Sequence, residues 1–387
     1  MEPEIQGPKH AVMPSGDAVT NGPHESPANG SDGHEIRDLY WVFVGNQGLR
    51  AGWSVLIFYV LYSIFNRILG TVALTIDPDL AKFAFSPTVM LIGELIPFLA
   101  ILGAVSVVAR IEQRSPLTYN LTGPRAAIHF LTGLAAGFAG LSVLVGALSW
   151  GGWLHFGGVA LDGAGMLRFG ALWALAFLLV SLVEEGSFRC YLQSTLTRGI
   201  NFWWALACIG AMCLRLLLNS QGQGVWGVYV IALLGLAPCL VLQWKKAAGS
   251  SFWQAAWVTS TAFGYIHTSN NGENWIGIFA AALIGFVFCV SVWATGSAWW
   301  AIGCHAAWDW AETYFYGAAD SGLPAQGHYL TTSATGAVLW SGGSDGPEGS
   351  LLVIPVILLL LVAILVLYGR RRKTAALHVR TLEQAAG

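Results

Sequence analysis

Three charged residues lie inside a run of the sequence that otherwise has the composition of a membrane helix. The stretch SLVEEGSFRCYLQ, residues 181–193, contains Glu184, Glu185 and Arg189. Charge at membrane depth is costly unless it is paired or hydrated. In a helix, Glu185 and Arg189 are four residues apart and share a face, whereas Glu184 points about 100° away from Glu185. The spacing therefore predicts one carboxylate held by the arginine and a second directed elsewhere. A structural ion cluster that fastens helices together is the alternative.

Two further polar pairs occur in other apolar stretches. FGYIH places Phe263 and His267 four residues apart, and HAAWD does the same for His305 and Asp309. Each histidine alone is explained as well by hydrogen-bonded packing. Counted from the cytoplasmic ends of the predicted spans, the depths are about 21 Å for Glu184, about 24 Å for His267, and about 12 and 18 Å for His305 and Asp309. We therefore expect these side chains to meet in one cavity inside the membrane.

The chemistry available to such a group is hydrolysis. A carboxylate and an imidazole can together hold a water molecule and accept its proton. A second imidazole with a polar neighbour can donate to the oxyanion that forms on an attacked carbonyl. Two histidines and a carboxylate also suit a zinc ion, although the chain has no HExxH motif. A metal-dependent hydrolase that uses His267 and His305 is thus an alternative.

Composition defines the class of protein that must position these residues. The 387 residues are 55% hydrophobic and only 10% charged, whereas soluble proteins carry about 25% charged residues. A net charge of −2 gives no basic footprint for nucleic acid. The sequence predicts an all-α polytopic membrane protein with about 8–10 transmembrane helices.

Ten apolar runs have the length that a bilayer requires. They cover residues 51–76, 87–109, 126–150, 169–197, 201–219, 224–244, 252–268, 275–295, 297–316 and 350–368. The basic YGRRRKT segment after the last run is expected on the cytoplasmic side. Since the number of runs is even, we expect both termini to be cytoplasmic and the protein to be a multi-pass protein of the cell membrane.

The polar segments divide the chain into regions. Residues 1–38 read as a disordered tail and 39–165 as N-terminal transmembrane helices, while 166–317 form the core that carries the polar motifs, with an inserted hairpin at about 201–246. Residues 318–349 are expected to form an extramembrane loop, in which SGGSDGPEGS reads as a surface linker, and 350–387 the last span and a basic tail.

The three motifs resemble those of the CPBP family, which comprises CAAX proteases and bacteriocin-processing (Abi) intramembrane glutamic endopeptidases. The family motifs EExxxR, FxxxH and HxxxN/D correspond to EEGSFR, FGYIH and HAAWD, in the same order and within about 167–316. The resemblance implies a CAAX-protease-like helical core and a metal-independent peptidase without a cofactor. It further implies that Glu184 and His267 activate water, that His305 and Asp309 stabilise the oxyanion, and that Glu185, Arg189 and Phe263 support them.

Position 309 departs from the eukaryotic and archaeal prenyl-protein proteases, which carry asparagine there. Aspartate occurs in bacterial members, so the closer resemblance is to a bacterial-type protein. An ionised Asp309 would repel an oxyanion, so it must either be protonated or orient His305.

The resemblance implies a peptide or protein substrate at the lipid bilayer. A lipidated C-terminus and a leader-bearing peptide are both compatible with the sequence. A non-catalytic membrane scaffold that keeps the same fold is a third reading.

A second charge pair is predicted away from the motifs. Arg67 and Glu94 lie in the first two apolar runs, about 24 and 22 Å from the same membrane face. Because consecutive antiparallel spans are usually neighbours, we expect a structural salt bridge between them. The alternative is that Glu94 reaches the active-site cavity and pairs with Arg189.

Overall fold

The structure is a computed structural model that describes residues 41–45, 48–81, 85–219, 225–270, 272–319 and 325–369. The chain divides into two compact units, residues 1–43 and 44–387. Only residues 41–43 of the first unit are described, and the fold below is that of the second. The predicted disordered tail and the basic C-terminal tail lie outside the described residues.

Helices account for most of the described chain. They are α1 (Ala51–Ile76), α2 (Pro87–Ile111), α3 (Ala126–Trp150), α4 (Gly163–Thr197), α5 (Phe202–Asn219), α6 (Val225–Lys245), α7 (Ser250–His267), α8 (Trp275–Thr295), α9 (Trp299–Asp309), α10 (Val338–Ser341) and α11 (Val353–Ile364). Two strands of two residues each, β1 (Val44–Gly45) and β2 (Gly48–Leu49), pair antiparallel before α1. β3 (Leu154–Val159) pairs antiparallel with β4 (Leu330–Ala334). The predicted all-α class is confirmed.

Seven described helices are long and apolar enough to cross a membrane, namely α1 to α6 and α8. A helix suits this environment because it satisfies its own backbone hydrogen bonds where no water is available. The other three predicted spans coincide with α7, α9 and α11, which are shorter or more polar. α7 and α9 carry the second and third motifs. The protein is a multi-pass membrane protein.

The most extensive contact between two described helices joins α3 to α9. Glycines make it possible: a Cβ atom on Gly133, Gly137 or Gly303 would overlap backbone atoms of the facing helix. Small residues of this kind allow membrane helices to approach closely. The position of α9, and of the third motif on it, is therefore set by direct backbone packing against α3.

The remaining helices pack in neighbouring pairs. α1 packs on α2, α2 on α4, and α7 on α8. Residues 201–246 form α5 and α6, which pack against each other and against α7. That this hairpin is an insertion, and the region boundaries as a whole, stay predictions.

The segment SGGSDGPEGS is not a surface linker, and this expectation is wrong. Asp345, Pro347 and Gly349 are buried. The Asp345 carboxylate accepts a hydrogen bond from the backbone N–H of Asn274 at 3.1 Å, and the Asn274 side chain donates to the Gly349 carbonyl, also at 3.1 Å. The segment thus folds onto the start of α8. The segment is rich in glycine, as a linker would be, but here the glycines allow close packing and positive φ angles, such as 91° at Gly346.

Candidate active site

The three motifs line a single cavity of about 540 Å³. Glu184 comes from α4, Phe263 and His267 from α7, and His305 and Asp309 from α9. The structure therefore brings together all four side chains that the sequence indicated as catalytic. Glu185 and Arg189 lie behind them and are fully buried.

The first motif sits where α4 changes its helical form. The helix is α-helical as far as Glu185 and widens into a π-helix over Gly186–Leu192. The predicted pair is present: Arg189 Nε lies 3.1 Å from Glu185 Oε2. The Arg189 guanidinium also lies over the Phe263 ring, 4.1 Å from its centroid. Gly285 on α8 leaves room for it, since a Cβ there would be 2.6 Å from Arg189 Nη2.

His305 is held between three carboxylates. Its Nδ1–H donates to Glu185 Oε1 at 2.9 Å, which fixes the ring orientation. Its Nε2 lies 3.4 Å from Asp309 Oδ2 and 3.8 Å from Glu184 Oε2. Among the described residues, the imidazole within 4 Å of Glu184 is that of His305. The joint action of Glu184 and His267 on a water molecule stays a prediction.

His267 is oriented by its own helix. Its Nδ1 lies 2.7 Å from the Phe263 carbonyl oxygen, which can only accept, so Nδ1 carries a proton. In the neutral ring this leaves the Nε2 lone pair available in the cavity. The FxxxH spacing thus has two effects, since the Phe263 carbonyl orients His267 and the Phe263 ring packs on Arg189.

Asn120 links the helices that carry the first and third motifs, and sequence reasoning missed it. The side-chain amide of Asn120 donates to the backbone carbonyl of Arg189 at 2.7 Å. The backbone carbonyl of Asn120 accepts a hydrogen bond at 2.8 Å from the backbone N–H of Ala298, which lies just before α9. An asparagine between two apolar runs gives no sequence signal for this role.

A second buried anion, Glu112, fixes the C-terminal end of α4. The Glu112 carboxylate accepts hydrogen bonds from Arg198 at 2.7 Å, Ser54 at 2.5 Å and Tyr119 at 2.8 Å. Burial raises the pKa of Glu112, but these hydrogen bonds and the Arg198 charge outweigh it, so the pKa lies below its ordinary value. Glu112 thus ties α1, α2 and α4 together as a charged group.

Two more acids line the cavity. Glu94 projects from α2, and Glu348 comes from the segment expected to be a surface linker. Glu348 Oε1 accepts a hydrogen bond from Trp308 Nε1 at 2.6 Å. No sequence pattern placed Glu348 here, because its spacing from the motifs is set by an irregular loop.

The predicted salt bridge between Arg67 and Glu94 is wrong. Arg67 is exposed, Glu94 lines the cavity, and the described residues include no ion pair between them. The alternative is half right: Glu94 reaches the cavity, but Arg189 pairs with Glu185. Matching depths fixed the height of both side chains, whereas the direction in which each points around its helix depends on packing.

The described residues contain no group of three or more His, Cys, Asp or Glu side chains arranged to hold a metal ion.

Comparison with known proteins gives one family match. Residues 239–311 match the family model described as type II CAAX prenyl endopeptidase Rce1-like. This range contains His267, His305 and Asp309, whereas Glu184, Glu185 and Arg189 precede it. No curated protein and no solved structure matches the chain. The resemblance indicated by the three motifs is therefore confirmed over residues 239–311, where the chain matches the Rce1-like CAAX prenyl endopeptidases.

Proposed function

We propose that the protein is an intramembrane endopeptidase of the glutamic type, which hydrolyses a peptide bond of a membrane-associated substrate. The observation that carries the proposal is the convergence of Glu184, His267 and His305 on one cavity. The Rce1-like match supports the peptidase activity but does not include Glu184, so the glutamic mechanism rests on the geometry.

The water-activating side of the site consists of Glu184 and His267. A water molecule held by the Glu184 carboxylate and the His267 Nε2 lone pair loses a proton to the carboxylate as it attacks the carbonyl carbon. The proton then passes to the departing amine. Because Phe263 holds the Nδ1 proton of His267, Nε2 is the nitrogen that faces the reaction.

The oxyanion side consists of His305 with Asp309. In its imidazolium form His305 donates Nδ1–H to Glu185 and can donate Nε2–H to the oxyanion. Asp309, 3.4 Å from Nε2, aligns the ring before the substrate arrives. Glu185 and Arg189 support this arrangement from behind as a buried ion pair.

The test compares two carboxylate removals in purified full-length protein reconstituted in lipid. Glu184→Gln keeps the shape of the side chain and removes the base, so hydrolysis should fall by about 10²-fold or more. Asp162→Asn removes an exposed carboxylate at the start of α4 and should retain activity. The readout is mass spectrometry of a mixture of peptides, with and without a prenylated cysteine.

Near wild-type cleavage by folded Glu184→Gln would contradict the glutamic mechanism. Activity that is lost together with stoichiometric zinc on prolonged chelation would favour a metal-dependent hydrolase that uses His267 and His305. Absence of cleavage by the wild type would favour a non-catalytic scaffold.

The same proposal includes an orientation. We place the protein in the cell membrane with both termini in the cytoplasm, because the basic residues of the connections, such as Arg110, Arg198 and Lys245, fall on one side of the alternating helices. Protease accessibility of tagged termini in sealed vesicles would test this.

A further inference from the structure

The cavity is strongly acidic. Its lining includes four carboxylates from four segments of the chain, Glu94, Glu184, Asp309 and Glu348. Two imidazoles, those of His267 and His305, are the basic groups, and no lysine or arginine occurs among the described lining residues. Arg189 does not alter this balance, since it is buried behind the cavity and paired with Glu185.

Three of the four carboxylates have partners within the protein. Glu184 and Asp309 both face His305 Nε2, at 3.8 and 3.4 Å. Glu348 accepts a hydrogen bond from the Trp308 indole. Each of these acids therefore has a structural reason for its position.

Glu94 is different. No described residue forms an ion pair or a side-chain hydrogen bond with its carboxylate, although the side chain is half-buried and faces the cavity. The lining of the same cavity also contains apolar residues, among them Met90 of the same helix and Phe177 of α4. A carboxylate in such surroundings is costly to keep without a partner. Glu94 therefore faces the cavity and any group that occupies it.

We infer that Glu94 determines specificity by binding a basic side chain of the substrate, and that the cavity favours a peptide with lysine or arginine near the bond to be cleaved. This inference rests on the proposed function, since it names the substrate class of the same cavity. A cation placed there gains from Glu94 and from the surplus of carboxylates around it, at an effective dielectric well below that of water.

The same charge distribution disfavours a free C-terminal carboxylate. A CaaX sequence lies at the end of a chain, so its recognition places a carboxylate three residues from the modified cysteine. The described lining offers no arginine or lysine to receive it, and four carboxylates repel it. The geometry therefore favours an internal bond flanked by a basic residue over release of a C-terminal tripeptide.

The experiment measures binding, so it does not depend on turnover. His267→Ala protein in lipid nanodiscs retains all four carboxylates and is compared with His267→Ala/Glu94→Gln and His267→Ala/Asp162→Asn. The probes are four fluorescent N-acetylated peptides of one apolar sequence. Three are C-terminally amidated and carry Lys, Gln or Glu at the same central position, and the fourth is the Gln peptide with a free C-terminal carboxylate.

With His267→Ala we expect the Lys peptide to bind about tenfold tighter than the Gln peptide, and the Glu and free-carboxylate peptides to bind more weakly than both. Glu94→Gln should reduce the Lys preference to about threefold or less, whereas Asp162→Asn should preserve it. Equal affinities for the Lys and Gln peptides, a preference that survives Glu94→Gln, or no binding of any peptide would overturn the inference. Loss of hydrolysis in the Glu184→Gln comparison tests the proposed function separately, because charge preference in binding requires no catalytic step.

Discussion

Gly137 offers a severe test of the idea that the α3–α9 crossing positions His305. A Cβ atom at this position would lie 2.9 Å from the Cys304 carbonyl carbon and 3.1 Å from its Cα, and closer still to the carbonyl oxygen. Ordinary van der Waals contact begins near 3.4 Å. Because backbone atoms cannot rotate away as a side chain can, Gly137→Ala must move α9 away from α3 by about 1 Å.

His305 follows Cys304 directly, so this displacement reaches the site. The hydrogen bond from His305 Nδ1 to Glu185 Oε1 is 2.9 Å long, and a shift of about 1 Å is large enough to break or misalign it. A misplacement of this size costs about 10²-fold in rate, and overpacking costs about 1–3 kcal/mol of stability. We therefore expect Gly137→Ala to lose about 10²-fold in peptide hydrolysis with a lowered Tm.

Gly146 on the same helix supplies the matched control. A Cβ there meets no atom within 4 Å, and alanine is favoured over glycine in a helix by about 1 kcal/mol. Gly146→Ala should keep full activity and an equal or higher Tm. Hydrolysis and thermal unfolding are measured for both variants in the same lipid. Equal activity in Gly137→Ala and Gly146→Ala would refute the claim that backbone contact with α3 sets the position of His305.

Two further predictions concern charged groups. Because Asp309 Oδ2 lies 3.4 Å from His305 Nε2, the charge of Asp309 should matter more than its shape. Asp309→Asn should therefore lose about 10- to 100-fold in kcat, nearly as much as Asp309→Ala. An Asn variant much more active than the Ala variant would assign Asp309 to oxyanion binding instead. Glu112 has a folded-state pKa below its ordinary value, so its contribution to stability is complete above the unfolded pKa and is lost as the pH falls through the folded pKa. Glu112→Gln should therefore lower Tm at neutral pH and flatten the decline of Tm on acidification, and a parallel downward shift at every pH would contradict this assignment.

Part of the site could be predicted because local geometry encodes it. The four-residue spacing of Glu185 and Arg189 places them on one helical face, and the structure contains that ion pair at 3.1 Å. The apolar runs likewise predicted where helices occur, because a segment that crosses a bilayer must satisfy its backbone internally. The depths of Glu184, His267 and Asp309, counted along helices of fixed rise, placed them within about 6 Å of one level.

The rest depended on contacts between distant segments. Helical periodicity gives the height of a side chain but not the neighbour it faces, so the sequence assigned Glu94 to Arg67, whereas the packing of α2 directs it into the cavity. In the same way, helix packing places His305 Nε2 3.8 Å from Glu184 Oε2. Glu348 reaches the cavity through an irregular, glycine-rich segment whose path no periodicity describes.

The sequence by itself determined the class of protein, the positions of its helices and the chemical inventory of the cavity, because hydropathy and the 3.6-residue period are local properties. The tertiary structure decided which carboxylates share an imidazole, which acid stays without a protein partner, and how closely α9 approaches α3. Those outcomes depend on the rotation and separation of packed helices. Glycines such as Gly137 allow two helices to approach closely, but how close they come depends on the backbone of the facing helix.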